Sequence, residues 1–330
     1  MPGTVIQRLT PGEVDRLEPL WRGLYDHNRA IAPELEPYAD DEQSWAVRRG
    51  LYRHVLDQGG VAAVAMAGGA DLGYLVAGQT EMPWTATLQA PERVTELVTL
   101  FVRPEAHDRG VGPALMDVFD AELHAMEEPA ALAGVLPQDR PAVELLQSRG
   151  FAPAWLTMTR FARPREHPPV EFGIEPVAPD EIDTLRSLWL ELHHHHQRIA
   201  PQMAPFLDDD ASWAAMREVM LDDARDGLAW RIGPADAPVA MMTGSADRDS
   251  SIWDDIWRTE AKVAEPDVLV VADGARGGGL GSALMDTYDD HLRARGITDQ
   301  LLAAVATNHD PIRLYQRRGF RPAWLELQRL

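Results

Sequence analysis

Arg276-Gly277-Gly278-Gly279-Leu280-Gly281-Ser282 holds the residue types best suited to chemistry in this chain. Glycines have no Cβ, so several backbone N–H groups can turn toward one point. A helix that begins directly after them adds its own unpaired N–H groups and the positive end of its dipole. An arginine at the rim adds a fixed positive charge. Such a loop is suited to the oxygens of a pyrophosphate. A nucleotide-hydrolysing P-loop needs Gly-Lys followed by Ser or Thr, and the chain's one lysine, Lys262, lies upstream. The dinucleotide fingerprint G-x-G-x-x-G fails too, because Ser282 or Leu284 falls at the last glycine position.

The flanking residues predict what carries the loop. An apolar run, Val268 to Val271, precedes it as a strand, and Leu284, Met285, Tyr288 and Leu292 recur at helical spacing over Ser282 to Arg295. After a second apolar run, Leu301 to Ala306, comes Asn308-His309-Asp310-Pro311-Ile312-Arg313-Leu314-Tyr315-Gln316-Arg317-Arg318-Gly319-Phe320. Asp310 is the expected N-cap of a short helix there, with Pro311 at its first position and Gly319 ending it in a left-handed conformation. Arg276-x-x-Gly279-x-Gly281 is the spacing of a coenzyme A loop, and the downstream Asn, Leu-Tyr, basic residue and Gly-Phe stand in the matching order. On these two motifs the chain resembles the GNAT superfamily of acyl-CoA-dependent N-acetyltransferases.

The resemblance implies an α/β fold with a mixed central sheet flanked by helices. It implies acetyl-CoA, or another acyl-CoA, as co-substrate, with no metal. The acceptor it implies is a small-molecule amine. The backbone of Leu269, Val270 and Val271 would pair with pantetheine, and an N–H of Val270 or Val271 would polarise the carbonyl. Arg276, Gly277, Gly278, Gly279, Leu280, Gly281 and Ser282 would hold the pyrophosphate, and Asn308 and Tyr315 would complete the cofactor contacts. A thioester is activated enough for a positioned neutral amine to attack it, so the protein supplies orientation, an oxyanion donor and proton management. Tyr315 would protonate the departing thiolate, since a phenol near pKa 10 can do so when hydrogen-bonded; packing on Leu301 or Phe320 is its other reading. For the base, Glu265 is the best-placed carboxylate, with Asp267 next and a water chain as the alternative. Glu96 stands at the matching place in the first half, so Glu265 is also readable as structural.

At 330 residues the chain exceeds what one core usually serves. It has no cysteine, which excludes disulfides, thiolate-bound zinc and a cysteine nucleophile. A net charge of -21 argues against nucleic acid and anionic membranes as partners; it either serves solubility or favours cationic acceptors. No charged-then-apolar leader and no run of eighteen apolar residues are present, so a cytoplasmic protein is expected.

Internal repetition sets the organisation. Leu20-Trp21 recurs as Leu188-Trp189 and Ser44-Trp45 as Ser212-Trp213, each 168 positions on. Gly150-Phe151 recurs as Gly319-Phe320, with Pro-Ala-Trp-Leu following in each copy, 169 positions on. Two tandem folds are expected, residues 1–162 and 171–330, joined by a Pro-rich linker at 163–170. Each should run β-α-α-β-β-β-α-β-α-β, giving a monomeric pseudo-dimer or a homodimer.

The halves differ in chemistry. The first loop reads His107-Asp108-Arg109-Gly110-Val111-Gly112-Pro113, with Asp139 at the Asn308 position and Leu146 at the Tyr315 position. Leu146 cannot protonate anything, so catalysis is assigned to the second half and the first is expected to be a degenerate copy. His193-His194-His195-His196 is not read as a metal site, because consecutive helical residues point in different directions and no third ligand is evident. In the family, the first two helices border the acceptor site, so His195, His196 and Asp209 are candidate acceptor contacts; a solvated acidic loop is the other reading of the aspartates. Trp253 and Trp257 line the cleft or pack in the core. A non-catalytic coenzyme A-binding module remains the alternative to an enzyme.

Overall fold

The computed structural model describes residues 4–81, 86–89, 91–125, 130–161, 172–203, 205–248, 256–258 and 262–330. The linker at 163–170 and Trp253 lie outside the described residues. The first half runs β1 (Val5–Arg8), α1 (Glu18–Ile31), α2 (Asp41–Asp57), β2 (Val61–Ala67), β3 (Ala70–Glu81), β4 (Arg93–Val102), α3 (Val111–Ala125), β5 (Ala131–Val135), α4 (Arg140–Ser148) and β6 (Ala152–Arg160). The second repeats it as β7 (Ile174–Pro176), α5 (Arg186–Ile199), α6 (Asp209–Arg225), β8 (Ala229–Ile232), β9 (Ala240–Arg248), β10 (Val263–Val271), α7 (Leu280–Ala294), β11 (Gln300–Val305), α8 (His309–Arg317) and β12 (Arg321–Arg329). The order expected for each half is the order observed.

Two boundaries differ from expectation for physical reasons. The strand predicted over Val268 to Val271 begins at Val263, and Pro266, which lacks an N–H, is accommodated by register shifts against β9 on either side of it. The helix predicted to be capped by Asp310 is capped instead at Asn308, which places Asp310 in its first turn; Gly319 ends it at φ +94° as expected.

The twelve strands of the described residues join one mixed sheet in the order β1-β2-β3-β4-β5-β12-β6-β11-β10-β9-β8-β7. The last strand of each half is therefore exchanged: β12 pairs with β5 of the first half, and β6 pairs with β11 of the second. β6 and β12 meet at the centre, antiparallel. One face carries α3 and α7, whose Leu115, Met116 and Phe119, and Leu284, Met285 and Tyr288, fill a core shared with Leu146 and Tyr315. The other face is covered by α1 and α2 around Trp21, Trp45 and Tyr52, and by α5 and α6 around Trp189 and Trp213. The halves also clasp each other through their connections. Ala39 N–H donates to Ile256, Arg258 N–H to Pro37, and Leu207 N–H to Thr87. Trp257 is fully buried in the α1–α2 core and bridges Tyr38, so of its two readings core packing is the one observed.

A repeated polar network anchors each exchanged strand. Arg160 of β6 pairs with buried Asp289 of α7, which also accepts from Arg318 at 3.1 Å. Arg329 of β12 pairs at 2.9 Å with Asp120 of α3, which accepts from Arg149 at 2.8 Å. The burial of the two copies differs, with Asp289 at 2% and Asp120 at 33% side-chain exposure. Removing one member of a buried pair strands the other charge, at a cost of about 3–5 kcal/mol, whereas an exposed pair contributes about 1 kcal/mol or less. Asp289→Ala is therefore expected to lower the denaturation midpoint by several times the shift caused by Asp120→Ala. Equal shifts in urea titrations would refute the difference.

Candidate functional site

In the second half, β10 and β11 pair in parallel only at Ala264 and Gln300. Beyond that point β11 stays paired through its other edge with β6, from Gln300 to Val305, while β10 continues along β9 to Val271. β4 and β5 of the first half keep three such pairs, Thr95 to Leu97 with Ala131 to Ala133. The parted strands open a cavity of about 530 Å³ beside the glycine loop.

Its walls contain Leu269, Val270 and Val271 of β10, Arg276, Gly277, Gly279, Leu280, Gly281 and Ser282 of the loop and α7, and Asn308. Gly279 is the N-cap of α7 at φ +86° and Gly277 has φ +84°, a region that favours residues without a Cβ. Among the described residues no side chain caps α7. Its N-terminal N–H groups thus meet the cavity together with the positive end of the helix dipole. Arg276 is held at the rim by Nε donating to the Val271 carbonyl at 3.1 Å and by Asp273 at 2.8 Å. Arg313 and Arg317, one turn apart on α8, add two more cations to the wall. Sequence reasoning missed these two, along with Leu192 and Leu314; the i, i+4 spacing of the arginines on a short helix was the available signal.

Other candidates fall elsewhere. Gly278 belongs to the loop but not to the cavity wall. His195 lines the cavity with Nε2 3.5 Å from the Asn308 side-chain oxygen. His196 points the other way, into the interior, edge-on to Trp155 of the exchanged strand at 6.3 Å. Burial and the neighbouring histidines push it down to about 3, so it is neutral. Asp209 pairs with His194 at 2.8 Å on the outer side of α6 and is not part of the cavity wall. His193 is buried and bonds the Leu207 carbonyl through Nε2 at 2.9 Å. The four histidines thus diverge, and among the described residues no group of three or more metal-ligating side chains stands together.

Tyr315 lies in the core beneath this wall, its ring 6.0 Å from that of Phe320, with Leu314 rather than Tyr315 forming the cavity surface. Burial pushes its phenol up to about 12. Glu265 lies further down β10, in a cluster with Asp267, Asp223 and Arg248. Arg248 bonds Asp267 at 2.7 Å and approaches Glu265 at 3.4 Å. Burial first and the Asp267 charge second push Glu265 up to about 7, against the pull of Arg248. Burial and the charge of Asp267 likewise raise Asp223. The cavity offers an anion cradle and a strand edge opened by splaying, while the protonated phenol of Tyr315 and the Glu265 carboxyl that titrates near neutrality lie outside its wall.

Comparison with known proteins agrees with this chemistry. The profile of the acetyltransferase (GNAT) family matches residues 20–151 and again 189–320. A mycothiol acetyltransferase of Parafrankia sp. (strain EAN1pec) is 30% identical over 281 residues, covering 78% of this chain and 79% of the relative. The structure of a GCN5-related N-acetyltransferase from Sphaerobacter thermophilus superimposes over 98% of this chain and 95% of its own, with a TM-score of 0.55 and 16% identity. A glucosamine N-acetyltransferase region of a fungal multi-domain β-N-acetylglucosaminidase gives 0.52 at 15% identity; this chain matches 38% of that one. At these identities the two structural likenesses concern the fold alone.

Proposed function

Because the chain belongs to the acetyltransferase (GNAT) family, we propose that this acyltransferase uses its second half, residues 171–330, to move an acetyl group from acetyl-CoA to the primary amine of a small cationic molecule. Attack is direct, with donor and acceptor bound together. The observation that carries the reading is the parting of β10 from β11 beside an uncapped, arginine-rimmed helix N-terminus. The first half, residues 1–162, is a degenerate partner. Its central pairing with the second half through β6 and β12 favours a monomeric pseudo-dimer.

In this reading the loop N–H groups and Arg276 hold the pyrophosphate, and the free edge of Leu269 to Val271 aligns the pantetheine. A backbone N–H at Val270 or Val271 polarises the thioester carbonyl, where a preorganised donor acts on developing charge. Glu265 accepts the proton of the acceptor ammonium. Tyr315, protonated at neutral pH, returns one to the departing thiolate. A thiol-release assay with acetyl-CoA and a panel of amines tests the whole. Melting stabilised by coenzyme A without turnover on any amine would replace the enzyme with a binding module.

The base makes a pH prediction. Glu265 acts only when ionised, and its raised pKa of about 7 means that it ionises as pH rises through neutrality. kcat/KM for the amine should therefore climb tenfold per pH unit below about pH 7. Glu265→Gln should lower the rate and remove that limb; an unchanged profile in the variant excludes Glu265 as the base.

A further inference from the structure

The first half keeps a slot at the place that matches the cofactor cavity, about 490 Å³ in volume, and its chemistry is inverted. The second slot is walled by Arg276, Arg313 and Arg317 with one carboxylate, Asp310. Among the described residues the first has no arginine or lysine in its wall and two carboxylates, Asp108 and Asp139. The differences fall at the Arg276, Gly277 and Ser282 positions and at both α8 arginines, while Gly110 and Gly112 match Gly279 and Gly281, and Arg109 stands at the Gly278 position outside the cavity wall. His107 replaces Arg276 and turns its Nε2 onto the Val102 carbonyl at 3.0 Å. Asp108 replaces Gly277 and holds a left-handed φ of +59°, which places an anion in the loop ahead of α3. Pro113 replaces Ser282 and has no N–H to offer. Glu144 and Ser148 stand where α8 carries Arg313 and Arg317.

The rest of the slot is retained and extended. Leu146, standing where the second half has Tyr315, is part of the cavity wall, and the cavity reaches Leu97 and Gly134. The ring of Trp324, from the exchanged strand β12, lies against Gly134, where a Cβ would come within 2.2 Å of Nε1. Leu97, Leu100, Phe101 and Leu145 make the remainder apolar. The polar end holds Asp108 and Asp139 with two histidines: Asp139 accepts from His27 at 2.9 Å, and His107 is turned onto the Val102 carbonyl. Among the described residues Asp108 makes no ion pair. An apolar cavity with carboxylates at its mouth repels a phosphate carrier and matches a cation with a hydrocarbon body.

We infer that the first half's slot is a second binding site, that its ligand is an apolar molecule bearing an amine, and that it does not take coenzyme A. The site acts beside the transferase reaction and does not depend on it.

Isothermal titration of the full chain with coenzyme A, n-hexylamine, 1-hexanol and hexanoate tests this. The expected result is one coenzyme A per chain and one hexylamine that binds equally well at saturating coenzyme A. Hexanol should bind at least threefold more weakly, and hexanoate not at all. Asp108→Asn, which tolerates the same backbone conformation, should bring hexylamine down to the affinity of hexanol and leave hexanol unchanged. Leu24 of α1 is a half-buried part of the same cavity wall, so Leu24→Trp should abolish both while the retained coenzyme A stoichiometry reports an intact fold. Two coenzyme A molecules per chain, displacement of hexylamine by coenzyme A, or no hexylamine binding would overturn the inference. Hexylamine binding in a chain that binds no coenzyme A would leave it standing and sink the transferase reading instead.

Discussion

Gly279→Val is expected to abolish coenzyme A binding while the chain stays folded. The Cβ itself has room, since its nearest neighbour would be Phe172 at 3.7 Å. The penalty is in the backbone: φ +86° is a conformation that a β-branched residue adopts only at a cost of about 1–3 kcal/mol. The loop can escape that cost by relaxing to negative φ, which turns the N-terminal N–H groups of α7 off their common target. Equilibrium titration with coenzyme A reads the loss, and far-ultraviolet circular dichroism checks the fold. Gly110→Val supplies the control, because Gly110 has φ +77° in the first half and carries the same strain. It should leave affinity for coenzyme A and turnover unchanged. Loss of binding in both variants would show that the cradle has been assigned to the wrong half or to both.

Tyr315→Phe is expected to lower turnover at least tenfold with little change in coenzyme A affinity. The substitution keeps the ring that packs on Phe320 and removes only the hydroxyl. Burial holds that hydroxyl protonated far above neutral pH, so it is available as a donor under all assay conditions. A thiolate that must leave without a proton is the poorer leaving group, and the effect should fall on kcat rather than on binding. Unchanged turnover would leave Tyr315 as a core residue, the role its place beneath Leu314 equally supports.

The sequence carried the fold where local pattern and repetition agree. The tandem copies, the strand-loop-helix around Gly279 and the opposite faces of the four histidines follow from spacing, because backbone geometry fixes which residues share a side. Register did not follow. Pro266 inside β10 and the start of α8 at His309 depend on bulges and turns set by neighbouring strands. Burial could not be read either, so Asp209 and His196, on adjoining helices near the histidine run, look alike in the chain yet one faces water and the other a tryptophan from the opposite half. The exchange of β6 and β12 leaves no local signal at all. Both orders place an apolar strand after a Gly-Phe turn, and only long-range pairing distinguishes them.

That exchange bears on how the protein is made. The neighbour of β5 is β12, residues Arg321–Arg329, which is synthesised only after the other elements of the second half. At about 5–20 residues per second, the nascent first half waits on the order of ten to forty seconds with that sheet edge open. A premature stop ahead of β12 therefore removes a strand from the middle of the sheet rather than from its margin. It leaves two exposed edges that can recruit each other between chains, so shortened translation products should accumulate as aggregates rather than as half-sized enzymes.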